Sequence, residues 1–488
     1  MSAVNSDDDG IDADSWLRAS IILDTLNVRG NGYQAHIVEI YREIFESHNE
    51  FLQRFYGFDA NDLLDTVLKL DKLVYSKIGN AFGAKLAHER FVEWSNETND
   101  ESIAKVTKES GKHFMQQFTE SNPDLFDETA PNGIVVHRLD RVEGYNKIFW
   151  VIPKSEKEKL IFDKLSIQFG DNKDFFEPQK FKGFPMNTTL ITTKPLIKED
   201  GKYLHFSSSL AFRNIFKIAE DLIRSADAVY YENSFRGNSK VNSKDNFIEL
   251  KTKNLFQKLL PLTKFYHSLE YEITEDGLIK QTELDILGVS SDTLYIIEVK
   301  AGELNPKHRR GAMDGLKKRL KETINEGSYQ CHRAMNYILE PANPTFEYVE
   351  DGVRETLTID KSKVTSIFKI SVTFEHFSAI SANLRYLIDS NILSEDFKWT
   401  WIVSILDLMI FADLIESEND FKEYLQNRLA MYDRSDIEFS DEIDILGYFL
   451  DGNFPIKKAN ANEIYLFCSR LENKHNRLLP KISFWNSM

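Results

Sequence analysis

The sequence has little cysteine, a deficit of basic residues and few glycines and prolines. Its 488 residues include two cysteines, Cys331 and Cys468. Two cysteines exclude a disulfide framework and any zinc site built on paired cysteines, and they favour a reducing compartment. Sixty Lys and Arg residues face 77 Asp and Glu, a formal charge of −17. Such a body repels phosphate at long range, so a generally polybasic nucleic-acid binder is excluded and any contact with nucleic acid has to be local.

Long apolar runs are also missing. The stretch from Trp399 to Ile415 is the most apolar, but it contains Asp407 and Asp413. Each of these would cost roughly 3 kcal/mol at a bilayer centre, which predicts a buried strand or helix and no membrane partner. The first fourteen residues hold five aspartates and no apolar segment of the signal-peptide type. We therefore expect a disordered acidic leader and a cytoplasmic protein.

The composition that remains is that of a globular protein, with 42% hydrophobic and 12% aromatic residues. The length suggests about three domains. Helical three- and four-residue spacing of apolar residues is followed by shorter, strand-like pieces and then by alternating helices and strands. We expect a leader (1–14), a helical domain (15–131), a β-rich segment with a connecting helix (132–230), an α/β domain (231–378) and a mixed α/β C-terminal domain (379–488).

The residues from Glu283 to Gly302 include the main candidates for metal binding and catalysis. They read as two strands, and a two-residue turn at Ser291 and Asp292 would place Asp285 directly opposite Glu298. Like charges in that position repel unless they share a proton or a cation. Mg²⁺ or Mn²⁺ would suit this pair, since such ions take oxygen ligands and accept one or two carboxylates. The carbonyl of Val299 would be a further ligand, and Lys300 would orient an attacking water.

Asp285 followed by Glu298-Val299-Lys300 at the end of an apolar strand resembles the PD-(D/E)xK, or restriction-endonuclease-like, nuclease superfamily. The EVKAG ending is most similar to its nuclease-related and Mrr-like branches. The resemblance covers about residues 246–374 and implies a mixed sheet flanked by helices. It also implies that Glu249, on the helix before the sheet, joins the metal site and that Gln330 is the glutamine of the helix after it. Leu284 stands where the motif has proline, a common departure.

Less specific interpretations stay open at each position. An acidic residue followed two positions later by lysine recurs in this chain, for example at Glu249 and at Asp396. The order of the flanking helices and strands is what distinguishes the triplet at Glu298. Even so, Asp285, Glu298 and Lys300 also fit ordinary surface charges or an inactive copy of the fold. Glu249 also fits a solvated helix residue. A glutamine such as Gln330 is common on the face of a helix.

A basic stretch follows the triplet. Between Lys307 and Lys321 there are seven Lys or Arg residues and one acid, a net charge of +6. Met313, Leu316, Leu320 and Ile324 form an apolar stripe at helical spacing, so the cations lie on the exposed faces. Beside a phosphodiesterase site such a helix would position the phosphate backbone, although it also fits an ordinary solvated surface. The candidate nucleic-acid contacts are Lys307, Arg309, Arg310, Lys317, Lys318 and Lys321.

The sequence therefore predicts a Mg²⁺- or Mn²⁺-dependent endonuclease. By resemblance, DNA is a better candidate substrate than RNA, and bacterial anti-phage defence or restriction is the implied role. The alternative is a catalytically inactive nuclease-like module that binds nucleic acid or a partner protein. In a third interpretation the helical N-terminal block serves as a sensor or as a surface for a homo-oligomer or partner subunit.

Overall fold

The structure is a computed structural model. It describes residues 12–26, 33–81, 149–176, 189–207, 209–237, 242–275, 277–309, 312–340, 343–434, 436–454 and 465–467. Most of the predicted leader and of the second half of the predicted helical domain lie outside these residues. Arg310, Cys468 and the side chain of Lys307 lie outside them too.

Helices and strands alternate along the described part of the chain, which is mixed α/β. The helices are α1 (Ala13–Leu26), α2 (Gln34–Phe45), α3 (Asn49–Tyr56), α4 (Ala60–Ala81), α5 (Glu156–Lys164), α6 (Leu210–Arg213), α7 (Ile215–Ala226), α8 (Ala228–Tyr230), α9 (Lys244–Leu259), α10 (Pro306–Arg309), α11 (Met313–Leu320), α12 (Glu326–Leu339), α13 (Ala379–Ala382), α14 (Arg385–Asp389), α15 (Ile405–Leu414), α16 (Glu418–Met431) and α17 (Glu442–Leu450). π-Helical turns follow α8 (Tyr231–Phe235) and α11 (Lys321–Asn325), and 3₁₀ turns span Glu46–His48, Lys173–Phe175, Leu190–Thr192, Lys361–Lys363 and Glu395–Phe397.

The strands form three sheets. They are β1 (Trp150–Val151), β2 (Ser166–Ile167), β3 (Leu196–Glu199), β4 (Lys202–Leu204), β5 (Lys264–Glu275), β6 (Leu278–Val289), β7 (Thr293–Lys300), β8 (Thr345–Glu350), β9 (Val353–Thr358), β10 (Ser366–Thr373), β11 (Trp401–Ser404), β12 (Ile437–Phe439) and β13 (Tyr465–Phe467). The orders are β1-β4-β3-β2, β11-β10-β7-β6-β5-β8-β9 and β12-β13.

The chain divides into two compact units. The smaller comprises residues 48–179 and 189–227, and the larger comprises the rest. The smaller unit holds α3 to α7 and the four-stranded sheet, so the predicted β-rich segment with its connecting helix does contain strands and a helix, α7. In this sheet Tyr203 donates its hydroxyl to Asp163 at 2.6 Å.

The helical domain predicted for 15–131 is not one unit. α1 and α2 belong to the larger unit, whereas α3 and α4 belong to the smaller. The physical reason is the apolar face of α1: Trp16, Leu17 and Ile21 are buried in one cluster with Leu316 and Leu320 of α11. Asp14, predicted to end the leader, is already helical. A helical periodicity identifies the helix but not its packing partner.

The seven-stranded sheet carries the residues of interest. β5, β6 and β7 are antiparallel, whereas β7, β10 and β11 run parallel. β7 is buried along almost its whole length, as expected for a strand covered on both faces. α12 covers one face, where Cys331 and Ala334 pack with Leu284 and Ile296. On the other face, Phe256 of α9 lies 6.1 Å from Phe265 of β5, centroid to centroid.

The boundary predicted at residue 378 is not present in this sheet. β11 pairs in parallel with β10, from Ile370 opposite Trp401 to Thr373 opposite Ser404. The apolar stretch from Trp399 to Ile415 thus contains a buried strand and then a buried helix, α15, whose first turn is capped by Ser404. No helix in the described ranges is long and apolar enough to cross a membrane.

Candidate active site

Asp285 and Glu298 lie on neighbouring strands, one position beyond the last observed pair of β6 and β7. The recorded pairs of β6 and β7 run from Val289 opposite Leu294 to Ile286 opposite Ile297. The next position in the same register is Asp285 opposite Glu298. Asp285 Oδ2 accepts the backbone N–H of Val299 at 2.7 Å, which fixes its carboxylate against β7. Val299 therefore enters the site through its N–H, and ligation by its carbonyl oxygen stays a prediction.

The two carboxylates differ in exposure, because Asp285 is partly exposed whereas Glu298 is buried. Glu298 is 2% exposed, and its Oε1 has no hydrogen-bond partner. Burial, and next the Asp285 carboxylate, raise the pKa of Glu298 well above its ordinary value. Burial also raises the pKa of Asp285, against the opposing effect of Lys300. Two such groups hold a shared proton or cation more readily than two full negative charges.

Lys300 connects this pair to α12. Its Nζ lies 3.3 Å from Glu298 Oε2 and also donates to Gln330 Oε1. Burial alone would lower the pKa of Lys300, but the carboxylates of Glu298 and Asp285 raise it, so the ammonium form is favoured. Four of the predicted site residues, Asp285, Glu298, Lys300 and Gln330, therefore converge from two strands and one helix.

A break in strand alternation lies beside Asp285. On β5, Phe265 and His267 face α9, but Leu269 and Tyr271 pack in the cluster under α12. The side changes at Ser268, whose φ of 53° is unusual for a residue with a side chain. On the paired strand, Leu284 and Leu287 both belong to the α12 cluster although they are three residues apart. The strict alternation expected around Asp285 is therefore interrupted.

Two acids on α9 approach the site, and the sequence predicted one of them. Glu249 lies close enough to Asp285 to raise the pKa of Asp285. The Glu249 carboxylate is nevertheless engaged elsewhere, because its Oε2 is 3.1 Å from His267 Nε2. Asp245, one turn earlier, was missed. Burial raises the pKa of Asp245. The Asp285 carboxylate raises the same pKa further, whereas the Lys300 ammonium lowers it. The i and i+4 spacing of Asp245 and Glu249 on one helix face is the signal that could have identified it.

The donor set fits a small divalent ion, within limits. In the described part of the chain no group of three or more His, Cys, Asp or Glu side chains is arranged to hold a metal. Mg²⁺ often takes only one or two carboxylates and keeps several waters. The partnerless Oε1 of Glu298 beside a second carboxylate meets that requirement. Asp285 and Glu298 are thus the residues that would hold an ion.

The basic stretch lies on α10 and α11, and its apolar stripe is buried as expected, with Leu316, Leu320 and Ile324 fully covered. Much of its charge is paired with acids of the same chain. The ion pairs are Arg309 with Glu375, Lys317 with Asp14 at 2.7 Å, Lys318 with Glu322 at 3.9 Å and Arg319 with Glu322 at 3.1 Å. Lys321 is exposed. The stretch is thus less available to phosphate than its net charge suggests.

Comparisons with known proteins do not identify a family for this chain. No protein family model matches the sequence, and no curated protein matches it. One solved structure, described as "Crystal structure of protein VC1899 from Vibrio cholerae", matches with 12% identity and a TM-score of 0.18, over 47% of this chain and 39% of that chain. This chain therefore spans about two-fifths of that protein, and a similarity this low carries no argument.

Proposed function

We propose that the protein is a divalent-metal-dependent nuclease that hydrolyses phosphodiester bonds. The observation that carries the proposal is the adjacent pair of Asp285, which is partly exposed, and Glu298, which is buried, with Lys300 bound to Glu298 and to Gln330. Two facing carboxylates, one with a partnerless oxygen, are costly in the absence of a cation. A partly buried ammonium beside them would supply positive charge where phosphoryl transfer develops negative charge.

The order of elements supports the same proposal. α9 precedes the antiparallel strands β5, β6 and β7, and α12 and the parallel strand β10 come later in the chain, after α10 and α11 and after β8 and β9, respectively. This order agrees with what the resemblance to the PD-(D/E)xK superfamily implies. The acids lie on β6 and β7, Lys300 ends β7, and Gln330 lies on α12. A restriction-endonuclease-like core is therefore the fold that we propose for the larger unit.

Each residue would have a separate task in hydrolysis. Asp285 and Glu298 would hold Mg²⁺ or Mn²⁺, which when bound supplies Lewis acidity and lowers the pKa of a coordinated water. Lys300 would hold that water in line with the scissile phosphate, and Gln330 would fix the Lys300 side chain. Lys321 and other cations of the basic stretch would contact the flanking phosphates. DNA as substrate, and a role in anti-phage defence or restriction, are proposed from the resemblance alone.

The proposal is tested with Lys300→Ala. We expect the variant to bind duplex DNA as the wild type does but to cut it about 100-fold more slowly, the usual loss when one preorganised charge is removed. Lys363→Ala is the matched control, since Lys363 is an exposed lysine paired with Asp360. Cleavage is measured on supercoiled plasmid with Mg²⁺ or Mn²⁺, and binding in EDTA. Equal cleavage by the wild type and Lys300→Ala would sink the assignment.

One observation favours the inactive alternative. Glu249, predicted as a metal ligand, is instead bound to His267, and no described group of three ligands surrounds the pair of acids. A module of this kind would bind nucleic acid or a partner protein without a cation. Millimolar Mn²⁺ would then leave the thermal unfolding of the wild type unchanged, whereas a nuclease site would be stabilised by its ion.

A further inference from the structure

Two buried oxygens without hydrogen-bond partners lie on neighbouring strands at paired positions. In the parallel pair of β7 and β10, Ser371 is directly opposite Glu298. Ser371 is fully buried and Glu298 almost so. Neither Ser371 Oγ nor Glu298 Oε1 has a partner in the described structure. Paired residues on adjacent strands share a face and lie about 4.8 Å apart in backbone spacing, so the two groups are neighbours.

α12 leaves room for this hydroxyl. A side chain at Gly327 would collide with Ser371 Oγ, and its Cβ would lie 3.6 Å from Lys300 Cε. Ser371 Oγ therefore points to the α12 side of the sheet, where Lys300 and Gln330 meet. The serine lies beside the candidate site and behind Glu298, away from solvent.

A partnerless hydroxyl next to a partnerless carboxylate oxygen needs an explanation, because buried polar groups in proteins are almost always satisfied. A serine hydroxyl rotates freely and can donate to whichever acceptor the site presents. A hydroxyl that donates to the Glu298 carboxylate makes a charge-assisted hydrogen bond, which is stronger than a neutral one.

We propose that Ser371 is a positioning residue for Glu298 in the nuclease site. Its hydroxyl donates to Glu298 Oε1 and so holds the carboxylate in the orientation that would bind the divalent ion. The other oxygen, Oε2, stays with Lys300. Ser371 touches neither the ion nor the substrate. This inference rests on the proposed function and adds a residue that the motif does not contain.

The test compares Ser371→Ala with Ser328→Ala. Ser328 is a fully buried serine on α12 whose Oγ also lacks a partner, so it matches Ser371 in chemistry and burial. Mn²⁺ affinity is measured by the electron paramagnetic resonance signal of free Mn²⁺ in titrations of the full chain. We expect Ser371→Ala to bind Mn²⁺ about tenfold more weakly. Cleavage should recover at saturating Mn²⁺, and Ser328→Ala should bind as the wild type does.

Ser371→Cys separates the lost hydrogen bond from a packing defect. The thiol fills the space of the hydroxyl but donates weakly, so Ser371→Cys should also bind Mn²⁺ weakly. Wild-type Mn²⁺ affinity in Ser371→Ala and Ser371→Cys, or an equal loss in Ser328→Ala, would overturn the role of Ser371 and leave the nuclease proposal intact. A wild-type chain that neither binds Mn²⁺ nor cuts DNA would overturn both.

Discussion

At the scale of single residues, the candidate site places two acidic side chains together, an arrangement that lowers folding stability but would serve ion binding. Asp285 and Glu298 are adjacent acceptors on neighbouring strands, and burial raises the pKa of both. Lys300 offsets part of the charge of the two acids. A fold that needed only stability would place apolar side chains here, because such pairs are destabilising without a partner ion. The observed pair therefore supports the proposed cation site.

We predict that Asp285→Asn stabilises the metal-free protein and abolishes cleavage. The amide removes one of two like charges and still offers an oxygen to the N–H of Val299. Because both pKa values are raised on folding, the acid pair favours the folded state at low pH, and this contribution is lost as pH rises above the ordinary carboxyl range. The gain of Asp285→Asn should thus be larger at pH 8 than at pH 5, with a midpoint increase of about 2 °C.

Thermal unfolding in EDTA measures this effect, with Glu272→Gln, an exposed carboxylate of β5, as the control. Mn²⁺ should raise the midpoint of the wild type but not that of Asp285→Asn. A variant that is less stable than the wild type at pH 8 would contradict the like-charge explanation.

The sequence predicted those site residues whose positions depend on nearby turns and strands. Asp285 opposite Glu298 followed from a short turn and a register, and the recorded β6–β7 pairs agree with that register. Ser371 was not predictable, because its pairing with Glu298 joins strands that are separated by α12 and two further strands. Asp245 was missed because the resemblance directed attention to Glu249. Contacts between distant segments thus account for what the sequence left open.

At the scale of elements, α1 determines how much of the basic helix is available. α1 buries Trp16 and Leu17 against α11 and brings Asp14 to 2.7 Å from Lys317. Of the α11 cations that periodicity placed on exposed faces, Lys318 is exposed, whereas Lys317 and Arg319 are only partly exposed. Periodicity could not reveal that an acid near the start of the sequence reaches Lys317. Nucleic acid would have to compete with Asp14 for Lys317.

We predict that Asp14→Asn tightens DNA binding about threefold in EDTA. A half-exposed ion pair is weak, so phosphate can displace it at a small cost. In a Lys317→Ala background the same change should have no effect, because the cation that Asp14 occupies is gone. Fluorescence anisotropy with a short duplex measures all four combinations.

Asp389→Asn, an exposed acid on α14, is the control for a general loss of negative charge. Equal tightening by Asp14→Asn in the presence and absence of Lys317 would show that long-range charge, and not the ion pair, governs the affinity.

At the scale of the whole molecule, the charge of −17 and the paired basic stretch act in the same direction. The acidic body repels nucleic acid at long range, and Arg309, Lys317 and Lys318 already have acidic partners. A protein of this kind discriminates against non-specific contact, since non-specific binding depends mainly on free cations. Productive binding then depends on contacts made at the site.

Salt dependence measures how many cations take part. If all six predicted cations contacted phosphate, log Kobs against log[KCl] would fall with a slope of about −5. Because three of them, Arg309, Lys317 and Lys318, are held by acids, we expect a slope no steeper than about −3 for binding to duplex DNA in EDTA. Asp14→Asn should steepen it by about 1, because Lys317 then joins the phosphate contacts. A wild-type slope near −5, unchanged in Asp14→Asn, would mean that the acids leave their partners when DNA binds, and that the pairing does not limit the encounter.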